Sequence, residues 1–218
     1  MIVRVKICGL TRAEDATLAV RHGASAVGLV FWPASPRAVA IDQARAISSE
    51  VPLFVARVGV FVNASPQDVE RIVRAVGLDA VQLHGDESIA EYASTAARVI
   101  KAVRLESEAD VDRAAALPPA VTLLVDATDR VKRGGTGTVA NWDLAAALAA
   151  RRPVMLAGGL DSANVGAAIA RVRPWAVDVS SGVEARPGVK SPERLAAFFA
   201  SVRAGEMQAG QRHPAPSA

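Results

Sequence analysis

The chain has 218 residues, 51% hydrophobic and 22% charged, with a formal charge of +3 and a single cysteine, and no apolar run in it nears the roughly 18 residues of a bilayer span. This balance excludes a disulfide-stapled, membrane-spanning or disordered chain; aromatics at 4% and basic residues scattered among carboxylates give neither the stripe nor the stacking platform of a nucleic-acid binder. A soluble, cytoplasmic domain acting on a small anionic compound is the expectation, since the chain enters its first strand with no room for an export signal.

In chain order, short Val/Ile/Leu runs alternate with Ala/Arg-rich stretches of helical spacing. Strands are predicted near 3–8, 26–31, 54–62, 79–83, 98–104, 121–126, 153–157 and 176–180, and helices near 12–22, 42–49, 66–76, 87–97, 108–116, 141–150, 162–171 and 192–203. Ser65-Pro66, Asp161-Ser162 and Ser191-Pro192 supply capping side chains, two of them ahead of a proline where no amide hydrogen is needed. Strand-helix-strand order forces parallel pairing through right-handed crossovers, so eight such units predict one α/β domain over 1–203, a closed (β/α)8 TIM barrel. The alternative is an open doubly wound sheet, whose Gly-x-Gly-x-x-Gly fingerprint is missing. Residues 204–218 hold two prolines and little to bury, and are expected to form a mobile tail.

In such a barrel the loops after the strands converge over one mouth, which makes position a guide to chemistry. Along Val3-Arg4-Val5-Lys6-Ile7-Cys8, alternation puts Arg4, Lys6 and Cys8 on one face; the aliphatic face meets the helices, so Cys8 points inward at a strand end. A lone thiol is more often inert packing than a reactive group, and its place is what singles this one out. Asp126 closes Val121-Thr122-Leu123-Leu124-Val125-Asp126 and points into the same mouth, with capping of local amides as an equal alternative. Asp178 faces inward below Ser180 on the eighth strand, beside the first, and is expected to pair with Lys6 because an unpaired interior charge is costly.

Two turns suit an anion: Gly158-Gly159 after the seventh strand and Ser180-Ser181-Gly182 after the eighth, together the barrel's common phosphate position. Arg37, in Ser35-Pro36-Arg37, offers a guanidinium for bidentate grip on a carboxylate, although loop arginines usually face solvent. His84 after Val81-Gln82-Leu83 either enters the mouth or packs with a hydrogen bond. The stretch Gly134-Gly135-Thr136-Gly137 lacks P-loop spacing and reads as a loop closing over substrate, or as ordinary surface. The three histidines lie far apart and form no metal set, and Gly-x-Ser-x-Gly is absent.

Taken together, Lys6-Ile7-Cys8-Gly9-Leu10-Thr11-Arg12, Ser35-Pro36-Arg37, Val81-Gln82-Leu83-His84-Gly85, Asp126 with Gly134-Gly135-Thr136-Gly137, Leu156-Ala157-Gly158-Gly159-Leu160 and Asp178-Val179-Ser180-Ser181-Gly182-Val183-Glu184 resemble the phosphoribosylanthranilate isomerases of tryptophan biosynthesis. The ordered set runs from the first strand to the eighth. One departure is Ala38, where the family usually carries an aromatic side chain.

The resemblance implies an Amadori rearrangement of N-(5-phosphoribosyl)anthranilate to 1-(2-carboxyphenylamino)-1-deoxyribulose 5-phosphate, without cofactor or metal. It implies Asp126 as general acid and Cys8 as general base, the thiolate being favoured if Lys6 approaches. It also implies Arg37 at the anthranilate carboxylate, Gly158, Gly159, Ser180, Ser181 and Gly182 around the phosphate, and His84 and Asp178 within the substrate site. Another phosphosugar isomerase, or a catalytically silent barrel that only binds a phosphate ligand, is the competing reading; the second needs neither a thiol nor an acid.

Overall fold

The computed structural model describes residues 2–126 and 142–211. Eight parallel strands close into a barrel in sequence order: β1 (Arg4–Ile7), β2 (Ala26–Val30), β3 (Ala56–Phe61), β4 (Ala80–Leu83), β5 (Arg98–Val103), β6 (Thr122–Asp126), β7 (Val154–Ala157) and β8 (Ala176–Val179). Between them run α1 (Ala13–His22), α2 (Ile41–Ser49), α3 (Pro66–Val76), α4 (Glu108–Ala115), α5 (Trp142–Ala149) and α6 (Val165–Val172), and α7 (Pro192–Gln211) follows β8. The closed barrel, not the open sheet, is the fold. No helix among the described residues is long and apolar enough to cross a membrane.

Alternation along the strands divides the apolar residues as the sequence predicts. Val3, Val5 and Ile7 join the large core between strands and helices, while Val58, Ala80, Ile100, Leu124, Met155 and Ala176 form a separate inner cluster. Lys6 shares that inner face and is 1% exposed. The register sets Lys6 opposite Asp178, and Nζ lies 2.9 Å from Oδ1, so the expected interior pair is formed.

Four local differences separate the structure from the sequence expectations. Where a helix is predicted over 87–97 there is one 3-10 turn, Ile89–Tyr92. Glu87, the natural first-turn acid of that helix, is turned inward instead: it accepts from the amides of Asn63 (2.6 Å) and Gly85 (2.9 Å) and from Lys101 Nζ (3.2 Å), while the Tyr92 hydroxyl donates to the Ala64 carbonyl. Those long-range bonds fix the segment to the loop after β3 and compete with helix propagation. Likewise α6 starts at Val165, three residues late, because Asp161 Oδ1 accepts from the amides of Ala163 and Asn164 and holds a turn there.

The third difference is a short antiparallel hairpin after β8, made of β9 (Glu184–Arg186) and β10 (Val189–Lys190), which the sequence reading passed over. The fourth is the length of the last helix. Helix α7 continues to Gln211, so residues 204–211 are helix rather than the start of a tail: Ala209 is buried, Gly205 packs against Gly166, and Glu206 accepts from the Val3 amide. Small residues spaced along α7 let it lie close to α6, burial that composition alone hides. The tail expected over 212–218 and the loop carrying Gly134-Gly135-Thr136-Gly137 lie outside the described residues.

Candidate active site

Cys8 follows β1 directly, its amide donating to the Val179 carbonyl of β8 at 2.8 Å. The amides of Gly9 and Leu10 then both turn to the Gly28 carbonyl at 3.0 Å, which bends the chain away and leaves the thiol inside the mouth beside Val30 and Val60. Gly28 makes the space: a Cβ there would sit 2.8 Å from Cys8 Sγ and 3.0 Å from Lys6 Nζ.

The electrostatics around the thiol differ from the expectation. Lys6 does approach, but Asp178 matches its charge. Burial pushes the Cys8 thiol above its ordinary value; Lys6 and, more weakly, Lys190 oppose this, and Asp178 adds to it. A thiol rather than a thiolate therefore rests here, because taking the anion out of water costs more than a neutralised ammonium returns. At Lys6, burial pulls downward, yet Asp178 holds the ammonium above the ordinary lysine value.

Asp126 ends β6 with its side chain 22% exposed. His84 reaches it: Nε2 lies 3.3 Å from Asp126 Oδ2, and Nδ1 lies 2.9 Å from Nε2 of the buried Gln82. The imidazole therefore bridges the Gln82 amide and the Asp126 carboxyl. His84 is thus both in the mouth and hydrogen-bonded, the two readings that the sequence left open.

Arg37 stands over Gly9, where a Cβ would meet its Cδ at 2.4 Å. Its guanidinium is held by Glu184, with Nε 2.8 Å from Oε1 and Nη2 2.6 Å from Oε2. This bond raises the Arg37 pKa further. Glu184 in turn accepts from Lys190 Nζ at 2.9 Å; burial pushes its carboxyl up, but Arg37 and Lys190 together bring it below the usual glutamate value.

The two anion turns meet. Gly158 and Gly159 have φ of +94° and +64°, a conformation that side chains disfavour, and a Cβ on Gly182 would lie 2.0 Å from the Leu160 carbonyl oxygen. Gly182 is therefore the residue that lets the loops after β7 and β8 touch. Beside them Ser180 Oγ is buried with no hydrogen-bond partner among the described residues, a costly state for a hydroxyl unless a ligand completes it.

The structure thus brings Cys8, Arg37, His84, Asp126 and both glycine turns to the C-terminal ends of the strands, with Asp178 one layer below beside Lys6. Glu184 and Lys190 also join the site, although no local pattern marks them: Glu184 ends the Asp178-Val179-Ser180-Ser181-Gly182-Val183-Glu184 run, and Gln82, which holds His84, lies within Val81-Gln82-Leu83-His84-Gly85.

A family model for N-(5′-phosphoribosyl)anthranilate (PRA) isomerase matches residues 5–201. The chain belongs to that isomerase family. The N-(5′-phosphoribosyl)anthranilate isomerase of Pseudomonas fluorescens strain Pf-5 is 50% identical over 202 residues, covering 92% of this chain and 96% of that protein. Among solved structures, phosphoribosylanthranilate isomerase from Thermotoga maritima is 45% identical with a TM-score of 0.84, over 93% of this chain and 99% of that one. A phosphoribosylanthranilate isomerase solved in complex with reduced 1-(o-carboxyphenylamino)-1-deoxyribulose 5-phosphate is 44% identical with a TM-score of 0.82 over the same shares.

Proposed function

We propose that this isomerase-family chain converts N-(5-phosphoribosyl)anthranilate to 1-(2-carboxyphenylamino)-1-deoxyribulose 5-phosphate, a step of tryptophan biosynthesis, with Cys8 and Asp126 as the proton-transfer pair. The observation that carries the assignment is their placement: a thiol after β1 and a carboxyl at the end of β6, both at one barrel mouth. Asp126 protonates the furanose ring oxygen, whose bond to the anomeric carbon breaks, leaving a protonated Schiff base to the anthranilate nitrogen. Cys8 as thiolate removes the proton on sugar carbon 2, and that electron pair moves into the carbon–carbon bond to neutralise the imine as an enolamine. A proton then adds to carbon 1 while the enol hydroxyl on carbon 2 gives up its own, so that the carbon–oxygen bond becomes the carbonyl of the ketose. His84, hydrogen-bonded between Gln82 and Asp126, orients the acid.

Ser180, Ser181 and Gly182 with Gly158 and Gly159 bind the phosphate, supported by the touching loops and the unpartnered Ser180 hydroxyl. Arg37 binds the anthranilate carboxylate. Asp178 acts beneath the substrate by holding Lys6. A cytoplasmic location belongs to the same proposal, because an unpaired thiol that takes up a proton has to remain reduced.

The test is to mix the protein with phosphoribosylanthranilate and follow loss of substrate fluorescence. Turnover in the wild type that is abolished in Cys8→Ser and in Asp126→Asn, with folding and phosphate binding kept, is the expected result. Unchanged fluorescence with phosphate still bound would point to the silent barrel instead.

A further inference from the structure

Arg37 spends its two best-aligned donors on a residue of its own chain, not on solvent. A guanidinium has five N–H groups, and Glu184 takes one from Nε and one from Nη2, the side-on edge. The end-on edge, built from Nη1 and the second hydrogen of Nη2, remains for a second carboxylate. Glu184 thereby fixes the direction of that edge, but its negative charge also cancels the charge that a substrate carboxylate would seek.

Lys190 resolves the conflict. Its side chain is 0% exposed, and Nζ lies 2.6 Å from the Cys8 carbonyl oxygen, 3.2 Å from that of Ser180 and 2.9 Å from Glu184 Oε1. Three acceptors require three N–H donors, which an ammonium has and a neutral amine lacks. Arg37, Glu184 and Lys190 then sum to one positive charge. The hairpin is anchored for this purpose at both ends: the Lys190 amide donates to Asp15 at 3.0 Å, the Gly188 amide to Glu184 Oε1 at 3.2 Å, and Thr11 Oγ1 to the Gly188 carbonyl at 2.6 Å.

We infer that Glu184 and Lys190 are positioning residues for substrate recognition: Glu184 aims the free edge of Arg37 at the anthranilate carboxylate, and Lys190 keeps the set net positive while tying the carbonyls of Cys8 and Ser180 to it. This rests on the carboxylate-binding role of Arg37 proposed above, and the experiment separates the two. Neither residue touches the reacting atoms.

Two probes serve. Reduced 1-(o-carboxyphenylamino)-1-deoxyribulose 5-phosphate carries both carboxylate and phosphate; ribulose 5-phosphate carries phosphate alone. Dissociation constants are measured for the wild type, Arg37→Ala, Glu184→Gln and the double variant. A charge-assisted clamp of this kind is worth about tenfold or more in affinity. Arg37→Ala and Glu184→Gln should each weaken the carboxylate probe about that much and leave ribulose 5-phosphate within about twofold, and the double variant should be no weaker than Arg37→Ala. If Arg37→Ala does not distinguish the probes, the clamp reading fails. If it does, but Glu184→Gln weakens both probes alike, weakens neither, or adds fully to Arg37→Ala, the positioning role is overturned. Glu184→Asp, which keeps the charge and shortens the reach, guards against misfolding of the first variant: it should move the same ratio in the same direction, and an unmoved ratio counts against the relay.

Discussion

Among the described residues two lysines lie fully buried, each with a carboxylate 2.9 Å away, and they do different work. Lys6 and Asp178 sit in register on adjacent strands within the barrel and neutralise one another. Lys190 and Glu184 sit in the hairpin outside the barrel wall, and Glu184 is shared with Arg37, so that set of three carries one net positive charge. Burial acts most strongly on both ammonium groups, yet Lys6 is held above the ordinary value and Lys190 falls below it. A neutral pair is suited to support a group that must itself change charge, here Cys8. A net positive set is suited to attract a ligand. The same two residue types have been given opposite electrostatic tasks by a third partner.

The largest expected effects lie with the chemistry above both lysines. General acid or base groups contribute about 10²- to 10⁴-fold to rate, so Cys8→Ser and Asp126→Asn should each lower kcat by that order with little change in thermal stability. Near-normal turnover in either variant would remove its assigned role, and with it the reason for a neutral pair beneath the thiol. Next come the pairs themselves. Lys6→Met leaves Asp178 buried and uncompensated, which costs about 3–5 kcal/mol, whereas Lys6→Met with Asp178→Leu should recover most of that loss in a denaturation series. At the hairpin, Lys190→Met should not be rescued by Glu184→Leu, because the carbonyls of Cys8 and Ser180 still lose their donor. Equal rescue at both sites would erase the distinction drawn between them.

The pH profile reads the first pair directly. Burial raises the Cys8 pKa, so the thiolate fraction is still climbing at the ordinary thiol value, about 8.5. The rate of Cys8 alkylation by iodoacetamide, which needs the thiolate but no proton from Asp126, should therefore rise with pH from 7 to above that value, by up to about tenfold per unit while the thiol remains mostly protonated. Asp178 pushes the thiol pKa up, so Asp178→Asn should move this limb toward lower pH. A profile flat between pH 7 and 9 would contradict a protonated resting thiol.

The comparison also marks what the sequence could carry. Lys6 and Asp178 were legible because strand alternation fixes which side chains face inward, and barrel order makes the first and eighth strands neighbours; two local rules sufficed. The same rules placed Cys8 and Asp126. Glu184 and Lys190 were not legible, because an irregular segment after a strand has no periodicity, and their meeting depends on a hairpin of only three and two residues. The replacement of the helix over 87–97 by a single turn was hidden for a similar reason. Glu87 there is satisfied by Asn63 and Lys101, partners far away in sequence that no local propensity reports. The helical stretch 204–211 was misread because small residues at a tight helix contact look like low-complexity tail. A Gly at each member of the Gly166 and Gly205 contact was the available signal.

The smallest expected effects come from two glycines, one in each region, and they separate the regions by kinetic signature. At Gly28 an added Cβ would crowd Cys8 Sγ at 2.8 Å and Lys6 Nζ at 3.0 Å, so Gly28→Ala should cost about 1–3 kcal/mol of stability and displace the thiol from the substrate. Because the thiol acts only in the chemical step, kcat should fall more than KM rises. At Gly188 the backbone has φ of +80° and an added Cβ would lie 3.0 Å from Thr11 Cγ2. Gly188→Ala should cost about 1–2 kcal/mol for the left-handed conformation and loosen the hairpin turn, whose Gly188 amide bonds Glu184. That disturbance reaches Arg37 before it reaches Cys8, so KM should rise more than kcat falls. The two variants can be compared at matched residual stability, which separates site geometry from general loosening. If both shift kcat and KM in the same proportion, the barrel pair and the hairpin set form one support rather than two.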